Sequence, residues 1–218
     1  MKPFIFLFST LLSMTTYAQN TVLPLWPNNI PNSIKTDEKE EVVSADIVTI
    51  AKVQVPQIEV YLPAKKIATG QAVLIFPGGG YGILAYDWEG TDFAKFLNAK
   101  GIAGIVVKYR LPSLKSQTEI HKVPLQDAQR AIRTVRSKAS EWNIDPTNIG
   151  IIGFSAGGHL ASTLGTHYND EVYPKKGAID NLSARPDFMT LAIFAACLGR
   201  HRCPRGEQSF VLYGPNKK

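Results

Sequence analysis

Two stretches of this chain, AVLIF at residues 72–76 and GIAGIVVK at 101–108, carry apolar side chains almost without interruption. A strand with one wet face alternates apolar and polar residues. An unbroken run needs cover on both faces, the situation of a strand inside a mostly parallel sheet flanked by helices. Residues 149–153 read as a further short strand and 189–196 as another candidate. Helical spacing separates them: Phe93, Phe96 and Leu97 within 91–100, stopped by Gly101, then a helix over about 124–142, then 156–165. On the second helix Leu125, Ala128, Ala131, Ile132 and Val135 share one face. Arg130, Arg133, Arg136 and Lys138 fall mostly off it and are expected to form a solvated charged face. Upstream, residues 46–62 alternate as two half-buried antiparallel strands joined near Pro56. Strands alternating with helices behind an antiparallel pair indicate an α/β sandwich.

Composition agrees with one globular domain. At 218 residues, 44% hydrophobic and 19% charged, the chain is unlike disordered, collagen-like or coiled-coil sequences. Its two cysteines, Cys197 and Cys203, cannot form a disulfide scaffold, and no His/Cys group has zinc spacing, so no metal or cofactor is expected. The net charge of +6 is unevenly placed: residues 195–218 contribute +4, and residues 19–194 only +1. The folded part is therefore not expected to bind nucleic acid, and a role for the basic tail alone on an acidic surface would show steep salt dependence.

Lys2, the apolar residues 4–14, and the small residues Thr16 and Ala18 have the layout of a signal peptide, with cleavage expected after Ala18. The apolar run is too short to span a bilayer. The mature chain is expected to be secreted or periplasmic, with no membrane association after cleavage, in a compartment where Cys197 and Cys203 can pair.

The chemistry-bearing motif is GFSAG at 153–157, set between an apolar strand and a helix. A serine on such a sharp turn needs small neighbours, which Gly153 and Gly157 supply. The hydroxyl of Ser155 then stands at the carboxyl edge of the sheet. The amide of Ala156, at the start of the next helix, points toward the same place and is suited to a developing oxyanion. A second glycine run, PGGGY at 77–81, follows the buried strand 72–76 and can bring bare amides close to a substrate oxygen. A phosphate cradle is not indicated, since no nucleotide-binding glycine pattern is present.

With these stretches the sequence resembles the α/β-hydrolase superfamily, in particular secreted bacterial esterases of the acetylxylan-esterase-like group. The matching segments are FPGGGY (76–81), EG followed by FAKFLNAKGI (89–102), KYRLP (108–112), PLQDAQRAIR (124–133), WNIDP (142–146) and GFSAGGHLA (153–161). The resemblance implies a mostly parallel central sheet with antiparallel N-terminal strands. It implies Ser155 as nucleophile, and the amides of Gly79, Gly80 and Ala156 as oxyanion hole. It further implies small acyl esters, acetyl groups on carbohydrate such as xylan, as substrates. Where related esterases often carry His before the glycines, this chain has Pro77. Tyr81, Tyr86 and Trp88 are candidates to line a sugar-facing pocket.

A serine hydroxyl needs a general base, normally a histidine oriented by a carboxylate that lies between serine and histidine in the chain. Neither partner is identified. His159 is expected as a packing or surface residue of the helix after Ser155, and His167 as a residue of that helix's end. His201 lies in the basic tail. Asp187 is expected at the opposite end of the sheet, and Asp170, Glu171 and Asp180 in a polar loop. From about Phe194 the family pattern stops. The expected organisation is thus a leader at 1–18, an incomplete hydrolase domain at 19–194 and a foreign tail at 195–218 from truncation or frameshift. An esterase impaired for want of the acid and histidine follows, or alternatively a catalytically inactive carbohydrate-binding scaffold. A sheet that stops after the strand near 189–196 would expose its edge, and predicts poor solubility or dimerisation.

Overall fold

The computed structural model describes residues 20–193 and 209–213. The expected leader, Cys197, Cys203 and His201 lie outside them. Strands β1 (Thr21–Pro24), β4 (Gln57–Tyr61), β5 (Ala72–Phe76), β7 (Ala103–Lys108), β8 (Ile149–Phe154), β9 (Phe188–Ile193) and β10 (Ser209–Tyr213) form a seven-stranded sheet in the order β1-β4-β7-β5-β8-β9-β10. The pairs β7/β5, β5/β8 and β8/β9 are parallel, while β1/β4, β4/β7 and β9/β10 are antiparallel. The expected mostly parallel sheet with antiparallel first strands is present. Every residue of β5, β7 and β8 is buried, as their unbroken apolar runs require.

Helix α1 (Asp92–Ala99) joins β5 to β7, α2 (Val123–Lys138) joins β7 to β8, and α3 (Ala156–His167) joins β8 to β9. The first crossover moves one way from β5 and the second returns past it. Right-handed crossovers therefore put α1 on one face of the sheet and α2 on the other. At β5 the strand order reverses, and such reversals open a crevice at the carboxyl ends of the strands. Phe76, the last residue of β5, is in register with Gly153 of β8. The glycine loop and the serine turn thus emerge side by side.

Three expectations need correction. The alternating residues 46–62 do form two strands, but not one hairpin. Strand β3 (Val48–Ala51) pairs with β2 (Glu41–Ser44) and β6 (Ile83–Ala85) in a separate three-stranded sheet, whereas β4 pairs with β1 and β7. Alternation reports one buried face and leaves the partner open. The α2 arginines do not form a solvated face. Arg130 donates to the Leu25 carbonyl and to Asp180, Arg133 to the Leu182 carbonyl and the Tyr173 hydroxyl, and Arg136 to the Pro146, Ser183 and Arg185 carbonyls. The chain at 173–187 lies over this helix with carbonyls unmet by secondary structure, and buried carbonyls require donors. Finally, the sheet does not stop at β9, because β10 from the expected tail pairs along it.

One buried charge cluster ties the N-terminal segment to the sheet. Arg110, 1% exposed, meets the fully buried Asp127 of α2 through two parallel bonds of 2.9 and 2.8 Å. Asp127 also accepts the Arg110 backbone N–H and the Trp26 indole N–H, and Arg110 reaches the Pro31 carbonyl at 2.7 Å.

Candidate active site

Ser155 occupies the single residue between β8 and α3 at φ 47°, ψ −115°, a region that L side chains rarely adopt. The turn is held from both sides. The Ser155 N–H donates to the Ala192 carbonyl of β9 at 3.1 Å, and its carbonyl accepts the His159 N–H at 3.1 Å. Phe154 and Ala156 are buried while Ser155 is exposed. A Cβ added at Gly153 would overlap the Gly157 carbonyl, and one added at Gly157 would overlap the Phe76 carbonyl. Both glycines are thus required by close backbone approach. A strained residue of this kind persists because its surroundings over-determine it. Ser155→Gly should relieve that strain and raise unfolding free energy by roughly 1 kcal/mol, read by denaturant titration.

The loop after β5 is pinned through its first three carbonyls and the Gly78 amide. The Tyr109 hydroxyl donates to the Pro77 carbonyl at 2.7 Å, and the Ala85 N–H donates to the Gly78 carbonyl at 2.9 Å. The Gly79 carbonyl accepts the Gly82 and Ile83 N–H groups. Gly79 and Gly80 have φ of 131° and 62°, where glycine is favoured. A Cβ built at Gly78 would stand 3.0 Å from Ser155 Cβ, so the loop abuts the serine. Among the described residues the amides of Gly79, Gly80 and Ala156 have no acceptor. The Gly78 amide, in contrast, is taken by Glu89 Oε2 at 2.8 Å.

Glu89 is 7% exposed and was not singled out as a functional residue from sequence. Burial raises its carboxyl above the usual carboxylate range, partly opposed by the Gly78 N–H. It lies in a π-helical turn, Asp87–Thr91, where the Thr91 N–H reaches back to the Tyr86 carbonyl at 3.0 Å. Such wide turns often accompany functional sites. An acidic residue followed by glycine just before an apolar helix was the one available signal, and it says nothing about an eleven-residue reach back to the loop.

The other singled-out residues are dispersed. Tyr81 is partly buried and its hydroxyl hydrogen-bonds His159 Nδ1 at 2.8 Å, with the two rings edge to face at 5.9 Å. Burial raises the Tyr81 phenol above its ordinary range. His159 is exposed on the first turn of α3, beside Ser155 and committed to Tyr81. Tyr86 is buried with its hydroxyl on Glu59, so it does not line a pocket, whereas Trp88 is 56% exposed. His167 sits in the last turn of α3, bonded to Thr166. Asp187 accepts the Ile149 N–H and pairs with Arg136, at the amino end of β8 and far from the serine. Asp180 is not a loop carboxylate in water. It is 2% exposed; burial alone would raise it, but the Lys176 N–H, Arg130 and the Tyr173 hydroxyl hold it below the usual carboxylate range. Among the described residues no carboxylate–histidine pair contacts Ser155, and no group of three metal-ligating side chains is present. No described helix is long and apolar enough to cross a membrane.

Comparison with known proteins places this geometry. Over 118 residues the chain is 42% identical to an acetylxylan esterase of Xylanibacter ruminicola, covering 54% of this chain and 23% of that protein. It is 32% identical over 147 residues to endo-1,4-beta-xylanase B of Butyrivibrio fibrisolvens, covering 67% of this chain and 22% of that one. The chain thus spans about a quarter of the length of these curated relatives. Among solved structures, the acetyl ester-xyloside bifunctional hydrolase of Caldicellulosiruptor lactoaceticus superposes with a TM-score of 0.63 at 33% identity, covering 81% of this chain and 58% of that one. The BD-FAE family model matches residues 58–194, which hold the sheet from β4 to β9, the glycine loop and the serine turn, so this α/β-hydrolase chain belongs to the BD-FAE family.

Proposed function

We propose that this chain is a serine ester hydrolase that takes small acyl groups, acetyl esters of a xylan-type carbohydrate first among them, onto Ser155. The observation that carries the reading is the exposed Ser155 hydroxyl on a strained turn beside a loop whose Gly79 and Gly80 amides have no described acceptor. In the acylation step Oγ attacks the ester carbonyl carbon and its proton passes through solvent water to the oxygen of the departing alcohol. The carbonyl oxygen becomes an oxyanion received by the amides of Gly79, Gly80 and Ala156, and collapse expels the alcohol. The positive end of the α3 dipole acts in the same direction. Donors already fixed in place cost little reorganisation as charge develops. The acetylxylan esterase and xylanase relatives support the choice of carbohydrate ester, and exposed Trp88 offers an apolar face for a sugar ring.

Acylation and turnover separate experimentally, because an activated ester needs little help in its first step and deacylation needs a base for water. With 4-nitrophenyl acetate the purified chain should release a stoichiometric burst of nitrophenolate, followed by slow turnover. Ser155→Ala should abolish the burst and leave the unfolding midpoint unchanged, since the hydroxyl is exposed. Acetylated xylo-oligosaccharides should compete with the burst, whereas unacetylated ones should not. A burst that survives Ser155→Ala would overturn the proposal. Saturable binding of unacetylated xylo-oligosaccharide with no burst would favour the inactive carbohydrate-binding scaffold.

A further inference from the structure

The buried acid beneath the glycine loop is not used in the acylation chemistry above. Glu89 has no ion pair among the described residues, and its described hydrogen bond is the one from Gly78. Desolvating a carboxylate for a single backbone N–H is unfavourable, so stability alone does not account for its position. Its location is specific. A Cβ built at Gly78 would stand 2.9 Å from Glu89 Oε2 and 3.0 Å from Ser155 Cβ, so carboxylate oxygen and nucleophile carbon are no more than 5.9 Å apart. The wide turn that holds Glu89 is itself seated against the loop. Gly90 has so little room that a Cβ there would stand 3.3 Å from Pro77 Cγ and 3.0 Å from Val106 Cγ1. Asp87, at the start of the turn, accepts the Val48 and Trp88 N–H groups and fixes its other end.

We infer that Glu89 is a positioning residue for the glycine loop: by accepting the Gly78 N–H, its carboxylate fixes the plane of that peptide and keeps the next two amides, of Gly79 and Gly80, turned toward the Ser155 hydroxyl. The inference rests on the acyl-transfer reading of Ser155. Its physical basis is the freedom of three successive glycines, which without an anchor allow a peptide plane to turn its N–H away at little steric cost. Carbonyl anchors hold the same planes from their other edge: Tyr109 on the Pro77 carbonyl, Ala85 on that of Gly78, and Gly82 and Ile83 on that of Gly79; Glu89 adds the described hold on an N–H edge, at the first plane of the run.

The test uses the full chain and diethyl 4-nitrophenyl phosphate, which forms a phosphoryl bond to the serine oxygen and releases nitrophenolate. Glu89→Ala removes the acceptor and should lower the second-order phosphorylation rate about 100-fold, the scale on which a lost oxyanion donor acts. Glu89→Gln keeps an acceptor oxygen and should recover the rate to within about 10-fold of the parent. In parallel, hydrogen exchange at the Gly78 amide should be slow in the parent and in Glu89→Gln, and fast in Glu89→Ala. A folded Glu89→Ala chain that reacts at the parental rate overturns the inference, as does equal loss in the Ala and Gln variants. Should Glu89→Ala fail to fold, the Gln variant decides together with parental exchange, and an unprotected Gly78 amide in the parent overturns the inference. A parent that is not phosphorylated at Ser155 overturns the acyl-transfer reading and this inference with it. Phosphorylation that ignores residue 89 overturns this inference alone.

Discussion

Replacing Asp127 by Ala is expected to destabilise the chain by about 3–5 kcal/mol, the cost typical of removing one partner from a buried ion pair. Arg110 would keep its charge at 1% exposure, with the Pro31 carbonyl and Ser33 as its remaining described partners. The Trp26 indole N–H and the Arg110 backbone N–H would lose their acceptor as well. Each unmet buried donor adds its own desolvation cost. Against a total stability of roughly 5–15 kcal/mol such a loss is decisive. Denaturant titration should show a lower midpoint with the slope retained. The exposed pair Lys95–Asp92, with side chains 59% and 61% exposed, supplies the control, since Lys95→Ala should cost less than about 0.5 kcal/mol. A loss below about 1 kcal/mol at Asp127 would show that the cluster can rehydrate, contrary to its described burial.

Gly157→Ala is expected to act on fold and site together. A Cβ at this position would overlap the Phe76 carbonyl and stand 2.7 Å from the Pro77 carbonyl oxygen, and both are backbone atoms of the strand end and loop beside the serine. No rotamer change relieves an overlap with backbone. Either α3 moves away from β5, or the loop carrying Gly78 to Gly80 shifts off the serine. A cost of about 3 kcal/mol or more is expected, at the upper end for overpacking. Gly80→Ala separates space from backbone strain. A Cβ there meets nothing within 4 Å, but φ of 62° remains unfavourable for a side chain, so roughly 1 kcal/mol is expected. Equal stability of Gly157→Ala and Gly80→Ala would contradict the described approach of α3 to the loop.

The parts legible in sequence were those where burial or backbone approach restricts residue type directly. Burial on both faces excludes polar side chains from β5 and β8, so their apolar runs announced a parallel sheet. Close backbone contact excludes any Cβ at 153 and 157, so two glycines around a serine announced the turn. What stayed hidden depends on partners distant in the chain. Arg130, Arg133 and Arg136 look like a wet face by helical periodicity because the carbonyls they meet, from Leu25 to Arg185, belong to segments without a pattern. Asp127 lies off the stripe of Leu125, Ala128 and Ile132, and its burial follows from a partner, Arg110, that lies 17 residues away. Strand β1 ends in Pro24 inside a Pro/Asn-rich lead-in, and an edge position is where a strand tolerates proline. Glu89 stands in the segment 89–102 that resembles the family, but its reach to Gly78 depends on a π-turn that no local residue pattern marks.

Ser155 is the group proposed to form the covalent bond. Incubating the chain with 4-nitrophenyl acetate, quenching in acid, and mapping the acetyl group by peptide mass spectrometry tests this directly. One acetyl group on the peptide containing Ser155, absent from Ser155→Ala, is the predicted result. Acetylation confined to lysines or His159, or a Ser155 peptide that stays unmodified while the fold is intact, would contradict it.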